Sequence, residues 1–188
     1  FLPGLRALVA AVHGGGAKIA VQLYHAGRRT SATVIGRQPV APSAVNCALF
    51  PELPRALSMP EIVALEDAFA EAAARAVTAG YDAVEVHGAH DYLVNQFMSP
   101  LTNRREDDYG GDLDGRLRFP RNVLAKILRV VGPEYPILFR ISADQYVAGG
   151  LTLADNQTIV PHLIAAGADV IHVSAASTSA EHIFCAPM

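Results

Sequence analysis

Apolar positions recur along this chain in two alternating rhythms, one helical and one of period two. Leu5, Leu8, Val9 and Val12 stand at helical spacing, and Gly14-Gly15-Gly16 ends that helix. A short β-rich run over 18–25 follows, then a polar, proline-rich loop over 26–57. Ser58-Met59-Pro60-Glu61 has the form of a capping box, opening a helix whose apolar stripe is Ile62, Leu65, Phe69, Ala72 and Ala76. Gly80 stops it, and 81–87 reads as a second strand. Beyond another long loop, Phe119, Val123, Ile127 and Val130 mark a helix closed by Gly132-Pro133, and a third strand spans 136–142. Thr152-Leu153-Ala154-Asp155 is a weaker cap for a helix through Ile159 and Leu163 to Gly167, before a fourth strand over 168–174. An interior helix proline costs roughly 3 kcal/mol, so Pro161 predicts a kink or a late helix start.

Strands alternating with helices predict parallel βα units. The helix-to-strand links, around Gly80, 132–135 and Gly167, are short, whereas the strand-to-helix links over 26–57 and 88–117 are long. The elaboration thus gathers at the C-terminal face of the strands, where TIM barrels build their active sites. Side-chain parity agrees. Gln22 and Tyr24, Glu85 and His87, Arg140 and Ser142, and His172 and Ser174 fall in one set. Val21 and Leu23, Val84 and Val86, Ile137, Phe139 and Ile141, and Ile171 and Val173 fall in the other. The polar set points into a shared interior; an open sheet would not need one. The fold is therefore read as α/β, a partial TIM (β/α)8 barrel of about four central βα units forming one incomplete domain over 1–188. The usual barrel needs about 250 residues. A start at Phe1-Leu2-Pro3 and a close at Phe184–Met188, like the middle of a loop, mark an internal fragment.

Composition narrows the function. With 51% hydrophobic and 18% charged residues the chain reads as a soluble domain with one sizeable core. A net charge of −3 without a Lys/Arg block argues against nucleic acid or an anionic membrane as partner. Cys47 and Cys185 are far apart and form no CxxC, so neither a disulfide framework nor a metal or iron–sulfur site is expected within this stretch. No apolar run reaches the length of a bilayer span and no signal-peptide plan is present. A cytoplasmic enzyme is expected.

The densest chemistry is His87-Gly88-Ala89-His90-Asp91-Tyr92, leaving the second strand. Two imidazoles so close can offer two N–H donors to one oxygen and stabilise developing enolate charge. A phenol, protonated at neutral pH, can deliver a proton. The plainer reading, a capped turn beside a packed aromatic, holds for a single histidine more than for this trio at a barrel mouth. Arg140 points inward and needs an anion; Glu85 is one choice, the N1–C2=O edge of a reduced flavin another. Gln22 can both donate to and accept from a flavin pyrimidine edge. Glu85, Asp144, His172 and Ser174 read as internal hydrogen-bonding residues.

These segments resemble a known family. Val21-Gln22-Leu23-Tyr24-His25-Ala26-Gly27-Arg28 is similar to the Gln-Leu-x-His-x-Gly-Arg segment of the old yellow enzyme family of FMN-dependent reductases. The stretch from Ala79 through His87-Gly88-Ala89-His90-Asp91-Tyr92-Leu93 and Asn103-Arg104-Arg105 to Tyr109-Gly110-Gly111 resembles its central signature, and Arg116, Arg118-Phe119 and Phe139-Arg140-Ile141-Ser142 match as well. The likeness implies that Gln22 and Arg140 contact FMN, that His87 and His90 hold the substrate oxygen, and that Tyr92 is the proton donor. It implies NADH or NADPH as reductant and an enone, enoate or enoyl thioester as substrate. The His-x-x-His form leans toward the bacterial 2,4-dienoyl-CoA reductases and enoate reductases. Glu181–Met188 resembles long members that add an iron–sulfur cluster and FAD further on. Asp91 departs from the family's usual Gly and is expected to tilt the turn carrying Tyr92. Asp114-Gly115 stands for a usual Glu-Asn, and Ala175-Ala176 lies where Gly is common. Strands seven and eight, which carry the phosphate site, are missing, so these residues alone are expected to bind FMN poorly.

Two rival readings remain. One is a metal-dependent TIM-barrel hydrolase with Glu85, His87, His90 and His172 as ligands, which leaves Arg140 unexplained. The other is a catalytically inert fragment or binding scaffold.

Overall fold

The computed structural model describes residues 1–47 and 49–175. Ala176, Cys185 and the segment Glu181–Met188 lie outside that set. The element order is α1 (Leu2–Gly14), β1 (Ala20–Leu23), α2 (Ala32–Ile35), β2 (Val40–Ala41), β3 (Arg55–Ala56), α3 (Met59–Ala79), β4 (Ala83–Gly88), α4 (Leu93–Met98), α5 (Leu113–Val131), β5 (Ile137–Ser142), α6 (Leu153–Ala165) and β6 (Val170–Ser174). No helix among the described residues is long and apolar enough to cross a membrane.

β1, β4, β5 and β6 form one parallel sheet in that order, so all four C-terminal ends open on the same side. The expected strands are present; each starts one or two residues later than read, β1 also ends two residues earlier, and β4 runs one residue further, to Gly88. Their register confirms the predicted parity: Gln22 pairs with Glu85, His87 with Arg140, Arg140 with His172, and Ser142 with Ser174. Those side chains share one face. Val84, Val86, Ile137 and Phe139 are fully buried on the other, against α3 and α5. Burying one such side chain is worth about 1.5–3 kcal/mol, so the helix-facing side anchors the sheet and leaves the other free for polar groups.

The helices form for the reasons the sequence offers, with corrections. The capping box of Ser58 and Glu61 starts α3, and Gly80 at φ 94° ends it. The buried stripe of α3, however, runs Ile62–Glu66–Phe69–Ala73–Ala76. Leu65 and Ala72 are half-buried, and Glu66 is buried because Tyr109 Oη, Asn122 Nδ2 and Lys126 Nζ all reach its carboxylate at 2.9–3.0 Å. Burial and this carboxylate push the Tyr109 phenol up to about 12. On α5 the stripe passes through Leu117, Phe119, Val123, Leu124 and Ile127, whereas Val130 is 46% exposed. Pro161 does not delay α6. The helix starts at Leu153 under a full Thr152–Asp155 capping box and runs through the proline, with Ile159 and Leu163 buried on either side. The loops expected over 26–57 and 88–117 carry elements of their own: α2 and the parallel β2–β3 pair in the first, and α4, wholly buried, in the second.

Candidate active site

β4 ends at Gly88, and the chain turns sharply through His90 and Asp91 before Tyr92 caps α4. His90 has φ 55° and Asp91 φ 62°. Each left-handed non-glycine residue costs roughly 1–2 kcal/mol, and hydrogen bonds offset that. The His90 N–H donates to Ser142 Oγ at 3.0 Å and the Asp91 N–H to Asn95 Oδ1 at 3.0 Å. Asp91 thus adopts a glycine-like conformation, and Tyr92 stays with the histidines.

The three rings meet edge to face. His87 and His90 have centroids 5.2 Å apart at 78°, and His87 and Tyr92 4.8 Å apart at 77°. The Ala89 N–H donates to His87 Nδ1 at 3.2 Å, which puts the proton of a neutral ring on Nε2. Burial, then the charges of His90 and Arg140, push His87 down to about 4. Burial, then Arg140, Arg29 and His172, push His90 down to about 4 as well. Both rings are therefore neutral donors at pH 7. His90 Nε2 is 2.7 Å from Ser174 Oγ; that hydroxyl accepts from Arg140 Nη2 at 3.4 Å and can donate its own hydrogen to Nε2, which leaves the His90 N–H on Nδ1.

Deeper along the same face, Glu85 accepts from Gln22 Nε2 at 2.5 Å and pairs with His172 Nδ1 at 2.7 Å. It is thereby occupied, and the Arg140–Glu85 salt bridge open to the sequence reading is not among the ion pairs of the described residues. Arg140 Nε is instead buried without a hydrogen-bond partner. Glu85, His172 and Ser174 are internal hydrogen-bonding groups as expected, and Asp144 accepts from the Tyr146 N–H at 2.6 Å. Among the described residues no three His, Cys, Asp or Glu side chains gather as a metal-binding group. Of the hydrolase set only Glu85 and His172 are bonded to each other.

Sequence reasoning missed the surroundings of Tyr92. Its ring lies 5.1 Å from that of Tyr24 and carries the Arg29 guanidinium 5.0 Å from its centroid. Arg28, read only as part of a family segment, makes a buried ion pair with Asp91. Two adjacent arginines in the loop that follows β1 were the available signal.

Residues 2–183 match the sequence profile of the NADH:flavin oxidoreductase / NADH oxidase family. The chain belongs to that family. It is 48% identical to an NADH oxidase of Thermoanaerobacter brockii over 93% of this chain and 27% of the relative. To an NADPH dehydrogenase of Clostridium acetobutylicum it is 42% identical, over 96% of this chain and 52% of the relative. The chain thus spans between about a quarter and about half of these curated relatives. Among solved structures it superposes on morphinone reductase with a TM-score of 0.82 at 34% identity, over 92% of this chain and 51% of that one. On 2-naphthoyl-CoA reductase in complex with 2-naphthoyl-CoA the TM-score is 0.89 at 28% identity, over 94% and 29%. The old yellow enzyme resemblance holds, and the four-stranded sheet is part of a TIM barrel of that kind.

Proposed function

We propose that the protein containing these residues is an FMN-dependent oxidoreductase that uses NADH or NADPH to reduce an activated carbon–carbon double bond. The observation that carries this reading is the meeting of one phenol and two neutral imidazoles at the strand ends, beside an arginine whose buried Nε lacks an acceptor. A buried donor without a partner is costly, and the electron-rich edge of a flavin would supply the acceptor. Gln22 and Arg140 would hold that edge. Bound FMN supplies hydride transfer to the β-carbon of the substrate.

The chain's own residues do the rest. His87 and His90 each donate a hydrogen bond to the carbonyl oxygen, stabilising the negative charge that grows there as the β-carbon gains its hydride. Tyr92 Oη gives its proton to the α-carbon and regains one from solvent. Because both imidazoles are neutral, they polarise without surrendering protons, which leaves that task to the phenol. The substrate class is an enone, enoate or enoyl thioester. A thioester accords with the name of the 2-naphthoyl-CoA reductase neighbour, and a 2,4-dienoyl-CoA is one member of the class. An iron–sulfur cluster and FAD outside residues 1–188, and a cytoplasmic location, belong to the same reading.

Tyr92→Phe tests it, because the exchange keeps the ring and deletes only the O–H. In the full-length enzyme, stopped-flow traces should show the alkene half-reaction slowed by roughly 10²–10⁴-fold, with the nicotinamide half-reaction little changed. His87→Ala should weaken substrate binding and the alkene step together. Equal losses in both half-reactions for Tyr92→Phe would make Tyr92 structural and remove the proton donor from this reading.

A further inference from the structure

The turn that carries Tyr92 is held by residues outside the proposed reaction. Asp91 is 2% exposed and left-handed, a conformation glycine adopts far more easily. Its carboxylate accepts from Arg28 Nε at 3.0 Å and from Arg28 Nη2 at 2.9 Å. Arg28 is buried too, and its Nη1 donates to the Asn46 carbonyl at 2.7 Å. Gln96 closes the circuit, accepting from the Arg28 N–H at 3.3 Å and donating to the Asp91 carbonyl at 2.5 Å. On either side of Asp91 the same loop takes hold again. Arg29 Nη1 donates to the His90 carbonyl at 2.8 Å, and the Leu93 N–H donates to the His25 carbonyl at 3.0 Å. Residues 25–29, after β1, thus clasp residues 90–93, after β4.

A buried ion pair is weak as a stabiliser, since apolar packing of equal volume does as well or better. What a two-pronged guanidinium–carboxylate pair adds is direction, because both N–H bonds must be met in one plane. Asp91 immediately precedes Tyr92, so the dihedral angles of Asp91 fix where the phenol ring leaves the turn.

We propose that the Arg28–Asp91 pair positions Tyr92, locking the turn so that the phenol ring stands edge to face with His87. Asp91 and Arg28 are positioning residues, and their effect on the alkene step passes through Tyr92. The inference rests on the reading of Tyr92 as proton donor.

The test is a double-mutant cycle on the full-length holoenzyme. Asp91→Asn keeps the size and the tolerance for positive φ while removing the charge. Alone, it should slow the alkene half-reaction by roughly 10- to 100-fold, the scale of a misplaced reacting group, and affect the nicotinamide half-reaction less. Combined with Tyr92→Phe it should slow that step no further, since no phenol proton is left to place. Arg28→Lys, which keeps the cation and loses the fork, should behave as Asp91→Asn does and supplies the same comparison if that variant does not fold. A ¹⁹F resonance of 3-fluorotyrosine at position 92 should shift or broaden in either variant, a readout independent of turnover. An undiminished alkene rate in Asp91→Asn, an equal slowing with and without the Tyr92 hydroxyl, or an unmoved fluorine signal would each overturn the positioning role. If Tyr92→Phe by itself leaves the alkene step intact, the proton-donor reading fails first, and the positioning role with it.

Discussion

His87 and His90 derive their low affinity for protons from burial first and from neighbouring cations second. Arg140 and Arg29 act on both, His172 acts on His90, and only Glu85 pulls His87 the other way. The consequence for stability has a definite sign. The folded rings titrate near 4 and an unfolded histidine near 6.5. Between those values the unfolded chain holds more protons, so the contribution is complete above about pH 6.5 and is lost as pH falls toward 4. The denaturation midpoint of the full-length protein should therefore drop from pH 7.5 to pH 5, and a His87→Gln/His90→Gln variant should lose part of that slope. A wild-type midpoint that stays level across this window would contradict the assignment. The residue types of the site were all visible in the sequence, because their spacing marks a strand end. Their pairings were not. Nothing in the order of letters says that Glu85 goes to Gln22 and His172 and leaves Arg140 aside, since that choice is made by side-chain reach between neighbouring strands.

Between elements, the decisive contact is that of the β1 loop with α4. Gly27 has φ 60°, and a Cβ placed on it would stand 2.3 Å from Gln96 Oε1, the residue that joins Arg28 to Asp91. Gly36 has a similar φ of 71° but open space around it. Alanine at either position incurs the same left-handed cost of roughly 1–2 kcal/mol; only at Gly27 does it also displace a buried side chain. Thermal melts should show Gly27→Ala clearly less stable than Gly36→Ala, with the alkene step impaired in the former alone. Similar losses from the two would mean that Gln96 moves aside freely. Strands and long helices could be read from periodicity, and the caps at Ser58 and Thr152 from local chemistry. Buried α4 could not, because its six residues sit in a loop-like sequence and are helical through contacts on every side. Pro161 misled for a related reason: propensity argued against a helix that capping and buried apolar side chains sustain.

For the molecule as a whole, parity was the most informative signal, since one alternation repeated in four strands both selected the barrel and showed which side chains face inward. What that leaves is a trough rather than a cylinder. β1 and β6 are the outer strands of the sheet, and each is flanked by apolar side chains only partly covered among the described residues. On one flank Leu2, Leu5, Val21 and Leu23 line a groove; on the other Ile171, Val173, Leu153 and Val160 line a second, with Val173 62% exposed. Outer strands present unpaired N–H and C=O groups, which recruit any strand that can complete them, and greasy patches beside them add to the attraction. A polypeptide as long as the curated relatives can supply that partner itself. Residues 1–188 prepared alone should instead find it in one another. Sedimentation velocity over a range of concentrations should show species heavier than the monomer, whereas a monomer at every concentration would mean that the rims of the trough are already sealed.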